Sequence, residues 1–365
     1  MTDDPGQLLL VGIPSPTLDA DTAALLRRVQ PGGFILFGRN IQSPEQLRRL
    51  TDDLREICVV EPVITVDQEG GRVSRLRLIG EEPPSARQLR DRGDPSLVRR
   101  HGAVTGRLLR LFGFNVDLCP VLDISFDDDA DNSLRGRCYG RTAAEVIAFA
   151  GEFNAALRGS GVASCGKHFP GYSLAAEDPH HAFPKIDRGR ADLEAHELSV
   201  FRHFVPLVDA MMIGHVHYGS LDDVIRPASL SPVVVDGLLR RDLGFEGLVM
   251  TDDLDMGAIL DTAGFDDVIS LALAAGNDQL MICHRVELLE RAKCVLASQP
   301  GRVREAALRR VSEFKARLQP PAPWSRSAFD ALTQETWDLR VATLGEERAR
   351  QRSTESGSRS PVERY

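Results

Sequence analysis

Short apolar runs alternate with longer amphipathic segments from the N-terminus to about residue 298. The apolar runs have the length of buried strands, and the amphipathic segments repeat their apolar positions with a helical period. Strands are predicted at residues 7–13, 33–37, 62–66, 114–122, 162–165, 210–213, 247–250 and 279–283. Helices are predicted at about residues 19–29, 44–57, 95–112, 142–158, 191–205, 233–242, 264–275 and 286–298.

Eight strand–helix alternations with continuously apolar strands indicate a parallel sheet covered by helices. The pattern therefore predicts an α/β fold, a single-domain (β/α)8 TIM barrel over residues 1–320. An open doubly wound sheet is the rival, weakened because no GxGxxG motif follows the first strand. Helix starts are marked by capping boxes at Ser43–Gln46 and Thr142–Glu145 and by the pair Ser231-Pro232.

The pattern changes at the proline-rich stretch 320–323, which ends the helix before it. Residues 321–344 are predicted to form a C-terminal extension. Residues 345–365 are rich in Arg, Glu and Ser and poor in apolar residues, so a disordered, charged tail is expected.

The composition narrows the function classes. A net charge of −9 argues against a nucleic-acid partner. The N-terminus lacks the basic and apolar regions of a secretory signal, and no apolar run is long enough to span a membrane. The six cysteines are scattered without a CxxC pair, which favours free, mostly buried thiols. We expect a cytoplasmic protein, favoured as a monomer, that needs no cofactor.

Charged and imidazole side chains follow six of the eight predicted strands, where a barrel of this kind carries its active site. They are Arg39, Asp67, Arg75, Asp123, Lys167, His168, His215, His217, Asp252 and Asp253. Burying so many polar groups is costly unless they are paired or functional. The set suits a polyhydroxylated ligand such as a sugar, and His215 is one of the candidate substrate contacts. A metal site from His215, His217 and Asp252 is a weaker alternative, and no metal is expected.

The segment after the fifth predicted strand holds the densest chemistry. Lys167 and His168 are followed by Asp178 and His180, and a carboxylate two residues from an imidazole can fix its tautomer and raise its basicity. An Asp at the barrel mouth, Asp252, opposite such a histidine provides the nucleophile and the acid/base of a retaining glycosidase. Asp252 read alone could equally cap the following helix.

Taken together and in order, these segments resemble glycoside hydrolase family 3, in particular its bacterial β-N-acetylhexosaminidases of the NagZ type, over residues 8–300. The resemblance is carried by GGFILF at 32–37, VDQEGGRV at 66–73, PVLD at 120–123, GKHFPG at 166–171, PASLSP at 227–232, GFEG at 244–247 and TDDL at 251–254. It implies Asp252 as nucleophile and His180 as acid/base supported by Asp178. It also implies sugar contacts from Asp67, Arg75, Arg137, Lys167 and His168.

The implied reaction is two-step retaining hydrolysis that releases a terminal β-linked N-acetylglucosamine, with a peptidoglycan-derived fragment as substrate. Departures from the family pattern fall in one loop: Tyr172-Ser173 replaces a residue pair that usually ends in Gly, Pro179 replaces Ser or Thr, and His181 directly follows His180. His180 is favoured over His181. The alternatives are a family 3 β-glucosidase, a glycoside phosphorylase, or a non-catalytic barrel that binds amino sugars.

Overall fold

Eight parallel strands form a closed barrel in the computed structural model, which describes residues 3–130, 132–173, 184–255, 259 and 263–353. The strands are β1 (Leu9–Gly12), β2 (Gly33–Leu36), β3 (Val63–Val66), β4 (Val116–Asp117), β5 (Ala163–Phe169), β6 (Ala210–Ile213), β7 (Leu248–Thr251) and β8 (Leu280–Ile282). Each strand from β1 to β6 pairs with the next in chain order, and β8 pairs with β1. A bridge between Met250 and Gln279 closes the ring, which confirms the predicted barrel.

Helices cover the outside of the barrel. They are α1 (Ala20–Val29), α2 (Pro44–Glu56), α3 (Ala86–Arg92), α4 (Pro95–Leu111), α5 (Ala143–Gly159), α6 (Arg190–Ala195), α7 (Glu197–Phe204), α8 (Phe265–Ala275), α9 (Leu289–Ser298), α10 (Gly301–Lys315), α11 (Arg326–Leu344) and α12 (Glu346–Ala349), with a wide, π-helical segment at Val233–Asp242. The Ser43 capping box forms as predicted, with Gln46 N–H donating to the Ser43 hydroxyl. No helix among the described residues is long and apolar enough to cross a bilayer.

Two strands differ from the prediction, and both differences move functional residues. β5 continues to Phe169, so Lys167 and His168 lie on the strand and not on the loop that was expected to follow it. β4 is only Val116–Asp117, although the Cys119 and Pro120 carbonyls still accept hydrogen bonds from Cys165 N and Lys167 N of β5. The helix predicted at 191–205 is two helices that meet at His196.

The C-terminal extension is docked against the barrel. Trp324 packs against Phe112, and Phe329 packs against both rings. Buried side chains such as Leu339 face the core from α11. The packed region continues to Ser353, so the first nine residues of the expected tail are part of the fold. Residues 354–365 lie outside the described part of the chain.

Candidate active site

Strand register brings the chemistry of three strands to one end of the barrel. Phe169 of β5 pairs with Ile213 of β6, and Ile213 pairs with Thr251 of β7. Asp252 continues β7, with its backbone N–H donating to the Ile213 carbonyl at 2.9 Å. Since neighbouring strands are about 4.8 Å apart, the His168 and Asp252 backbones lie roughly 10 Å apart across the mouth. That spacing suits a sugar ring held between their side chains.

A buried lysine joins two carboxylates at the centre of the site. Lys167 Nζ donates to Asp67 Oδ1 at 2.7 Å and lies 2.6 Å from Glu69 Oε1. Asp67 and Glu69 are two residues apart on an extended segment, so their side chains point to the same side. All three side chains are almost wholly buried. Such a buried group is stable only when every charge is paired.

Two arginines complete this charge cluster. Arg137 makes a bidentate pair with Glu69, with both N···O distances at 2.7 Å, and Arg75 Nη2 lies 3.4 Å from Asp67 Oδ2. Three cations and two carboxylates leave one positive charge, and the Lys167 ammonium is close enough to Asp252 to help lower the pKa of that carboxyl. The other hydrogen bond of the Arg137 guanidinium among the described residues is to the Ser133 carbonyl, so its main partner is Glu69.

The pairing sets the protonation states. Burial raises the pKa values of Asp67 and Glu69, but nearby cations lower them by more, so the net shift is downward. These cations are Lys167 and Arg75 at Asp67, and Arg137 and Lys167 at Glu69. Burial lowers the pKa of Lys167, yet the Asp67 and Glu69 carboxylates raise it above its usual value. All three groups are therefore charged at neutral pH. They offer fixed acceptors and donors of the kind that recognise sugar hydroxyls.

A third buried carboxylate, Asp123, orients His168. Asp123 Oδ2 accepts hydrogen bonds from His168 Nδ1 at 2.8 Å and from His168 N at 3.1 Å. Its other oxygen accepts from Tyr172 N at 2.6 Å. Because the Nδ1–H donates to Asp123, the neutral His168 ring has its lone pair on Nε2. That nitrogen can accept a hydrogen bond from a ligand hydroxyl.

Asp123→Asn is expected to raise KM about tenfold while changing kcat less, because an amide can present its N–H to His168 and favour the wrong tautomer. Steady-state kinetics on a chromogenic substrate measure both constants. An unchanged KM in a folded Asp123→Asn protein would show that the His168 tautomer does not matter for binding. Asp128→Asn, which alters an Asp outside this site, is the control.

Asp252 is a half-buried carboxylate in a positive environment. Burial raises its pKa, but the His215 and His168 rings, the Asp253 N–H and the Lys167 ammonium lower it below the usual value. The Asp253 backbone N–H donates to Asp252 Oδ1 at 2.9 Å. An ionised carboxylate held by its own backbone at a strand end can attack an electrophilic carbon.

Both backbone groups of Asp253 take part in this arrangement. Its carbonyl lies 2.9 Å from His215 Nε2, and His215 Nδ1 lies 2.7 Å from the Ser229 hydroxyl. Both ring nitrogens of His215 therefore have protein partners, and the ring is fully buried. Contact with a sugar would require one of these bonds to break. The structure thus places His215 against the Asp253 carbonyl beside Asp252, and its contact with a substrate stays a prediction.

One group among the described residues has ligand atoms close enough for a metal. Asp253, Cys283 and His284 place an oxygen, a sulfur and a ring nitrogen within 4.8 Å of one another. However, Arg39 Nη1 lies 3.2 Å from His284 Nδ1, and a guanidinium can only donate. The neutral ring must then carry its proton on Nε2, which faces Asp253 at 3.4 Å. To bind a metal beside Asp253, His284 would need an unprotonated Nε2 and its proton on Nδ1. Asp253, Cys283 and His284 are therefore better described as a chain of polar contacts than as a metal site.

The predicted acid/base pair, Asp178 and His180, lies outside the described residues, but the described residues on either side, Ser173 and Pro184, have contacts near the mouth. Ser173 accepts a hydrogen bond from Ile124 N at 2.9 Å, next to Asp123. The chain returns at Pro184, whose carbonyl accepts from His217 N at 2.8 Å. Ser173 and Pro184 are thus held beside Ile124 and His217.

Sequence reasoning did not single out Glu69 and left the role of Asp123 open. The spacing of Asp67 and Glu69 was visible, and two carboxylates on one side of an extended segment indicate a shared cation. Their partners Lys167 and Arg137 are distant in sequence, so no local pattern could identify the pairing. The structure brings Asp67, Arg75, Arg137, Lys167, His168 and Asp252 to the same end of the barrel, and their contacts with a substrate stay a prediction.

Comparison with known proteins decides the family. Residues 1–313 match the model of the glycosyl hydrolase family 3 N terminal domain. The chain belongs to glycosyl hydrolase family 3. Its family 3 relatives include a β-hexosaminidase of Photobacterium profundum, 32% identical over 282 residues that cover 76% of this chain and 82% of the relative. A β-hexosaminidase of Alkalilimnicola ehrlichii is 34% identical over 287 residues, covering 76% and 81%.

Solved family 3 structures have the same fold. A β-N-acetylglucosaminidase from Paenibacillus superposes with a TM-score of 0.87 at 31% identity and covers 94% of this chain and 69% of its own. NagZ from Neisseria gonorrhoeae superposes with a TM-score of 0.78 at 27% identity, covers 92% and 95%, and was solved with N-trifluoroacetyl-D-glucosamine. The resemblance noted in the sequence is thereby confirmed.

Proposed function

We propose that this family 3 protein is a retaining exo-β-N-acetylhexosaminidase that releases a terminal N-acetylglucosamine. The observation that carries the proposal is the ionised Asp252 at the barrel mouth opposite the paired cluster of Asp67, Glu69 and Lys167. The β-hexosaminidase relatives and the complex of NagZ with a glucosamine derivative support the choice of sugar.

In the proposed mechanism, Asp252 attacks the anomeric carbon as the glycosidic bond breaks, and His180 donates a proton to the leaving oxygen. The bond between sugar and Asp252 is then hydrolysed by water, and His180 accepts the proton from that water. Asp178 holds the imidazole and stabilises its protonated form. Asp67, Arg75, Lys167 and His168 bind the sugar hydroxyls.

The substrate we favour is a peptidoglycan-derived fragment, which this enzyme would cleave in the cytoplasm. A β-glucosidase and a phosphorylase use the same nucleophile, and an inactive barrel would still bind the sugar. Purified protein is therefore assayed with chromogenic β-N-acetylglucosaminide and β-glucoside, with and without phosphate. We expect turnover of the acetamido sugar that phosphate does not accelerate. Turnover of the glucoside alone would rule out the hexosaminidase activity. Sugar binding without turnover of either substrate would rule out an enzymatic function.

Substitution can distinguish the roles of the adjacent residues His180 and His181. His180→Gln is expected to lower kcat by about a hundredfold or more and to remove the alkaline limb of the pH–rate profile, since a general acid is lost. His181→Gln serves as the matched control and is expected to keep most of the activity. The opposite result would transfer the acid/base role to His181. Substrates with a good leaving group should be less affected, because they need little protonation.

A further inference from the structure

A buried arginine in the C-terminal extension makes an unusual set of contacts. Arg340 lies on α11 and is 1% exposed. Its Nη1 donates to the Glu82 carbonyl at 2.9 Å and to Glu82 Oε1 at 3.0 Å, and its Nε donates to the Ala349 carbonyl at 2.7 Å. Its Nη2 donates to the Gln351 carbonyl. One side chain thus joins the extension to the segment around Glu82.

Glu82 is the other half of this junction and is also 1% exposed. Beyond Arg340, its carboxylate accepts from the Ser353 hydroxyl at 2.8 Å and from Ser353 N at 3.2 Å. Arg77 Nη1 lies 3.5 Å from its other oxygen. The carboxylate therefore holds together α11, the end of the described chain, and its own segment.

The segment that Glu82 belongs to carries site residues. Residues 67–85, here termed the site segment, include Asp67, Glu69 and Arg75. A short hairpin, Gln68–Gly70 with Val73–Ser74, gives the segment its shape, and Gly71 N donates to the Pro83 carbonyl at 2.9 Å. The residue beside Glu82 is thus bonded directly to the turn of the hairpin.

The side chains between Glu82 and the sugar site are also coupled to α11. Gln68 Nε2 donates to the Ser74 hydroxyl at 2.7 Å, and Gln68 Oε1 accepts from Leu76 N at 3.1 Å, on either side of Arg75. Gln68 and Leu76 line a small cavity whose other wall includes Phe329, Thr333 and Thr336 of α11. The site segment is therefore enclosed between the barrel and the extension.

We infer that Arg340 is a positioning residue for sugar binding, acting through Glu82 on Glu69 and Arg75. The C-terminal extension, which lies beyond residue 313 where the family match ends, is then part of the binding apparatus. The inference rests on the proposed function. The physical reason is that Arg75, and Lys167 through its pairing with Glu69, must be held within a fraction of an ångström to meet the sugar hydroxyls. Misplacement by about 1 Å can cost up to a hundredfold.

Two full-length variants separate positioning from simple stabilisation. Arg340→Met removes the junction, and Leu339→Ala removes a fully buried side chain from the same helix without touching Glu82. Both are expected to lower Tm. Only Arg340→Met is expected to raise KM for the acetamido substrate and Kd for N-acetylglucosamine, by about tenfold, with a smaller change in kcat. Arg340→Lys keeps one donor and is expected to recover part of the loss.

The inference is overturned if folded Arg340→Met binds the sugar like the wild type, or if Leu339→Ala weakens binding equally. Glu82→Gln, a smaller change at the same junction, provides the test if Arg340→Met does not fold. Hydrogen exchange gives a readout independent of activity. Amides of residues 68–78 should lose protection in Arg340→Met but not in Leu339→Ala. If the wild type neither binds nor cleaves the sugar, the proposed function fails, while the exchange data still decide whether Arg340 holds the site segment.

Discussion

Replacing Asp252 by asparagine is expected to lower kcat by at least about a thousandfold while leaving Tm within a few degrees of the wild type. The amide is nearly isosteric, but it is a poor nucleophile and does not form the glycosyl-enzyme. Its side-chain oxygen can still accept the bond from Asp253 N, which is 2.9 Å away in the wild type. The loss should therefore be chemical and not structural.

A second substitution at this position identifies the role. Asp252→Gly opens space beside the anomeric carbon, so added azide should attack from the vacated side and give an α-glycosyl azide. Formation of that product is specific to a missing nucleophile. Asp266→Asn, a substitution of an exposed aspartate paired with Arg291, is the control and should behave like the wild type. Wild-type kcat in Asp252→Asn would reject the assignment, and Asp253 would be the next residue to test as nucleophile.

The barrel could be predicted because a parallel strand is buried on both faces and so appears as a continuous apolar run. All eight runs became strands. The rule fails where a strand carries charge: β5 includes Lys167 and His168, and these polar residues suggested a loop. They remain on a buried strand because Asp67, Glu69 and Asp123 pair with them, and such tertiary compensation leaves no local signal.

The extension illustrates a second limit. Helix α11 was not predicted, because the region after the prolines at 320–323 has no strand partner to define an alternation. Its buried Arg340 would be assigned to the surface from sequence alone, since a lone arginine is buried only when paired. The pairing with Glu82 crosses more than half the chain. Residue types at the strand ends thus indicated the class of ligand, whereas the contacts that hold them required the fold.

Lys167→Met is expected to destabilise the protein by about 3–5 kcal/mol and to abolish measurable sugar binding, because it leaves Asp67 and Glu69 buried without their shared cation. The lowered folded-state pKa values of these carboxyls give the wild type stability that is fully present above their unfolded pKa near 4 and is lost as the pH falls through the folded values. The variant lacks most of that contribution. Its deficit in Tm should be full at pH 7 and should narrow only as the pH falls below about 4, towards the lowered folded-state pKa values.

Lys315 provides a matched control, since it is also a buried lysine but its Nζ donates to the neutral Gln7 side chain. Burial lowers the pKa of Lys315 to about 8, so the wild type loses stability as the pH falls from above 10 towards 8. Below about pH 8 the free-energy cost of burying the charged ammonium is present in full. Lys315→Met should therefore raise or preserve Tm at pH 7, although the bond to Gln7 is lost. Thermal unfolding of both variants between about pH 2 and pH 10 measures the contrast. Equal destabilisation by the two substitutions would mean that loss of buried side-chain contacts, and not the pairing with Asp67 and Glu69, explains the effect at Lys167.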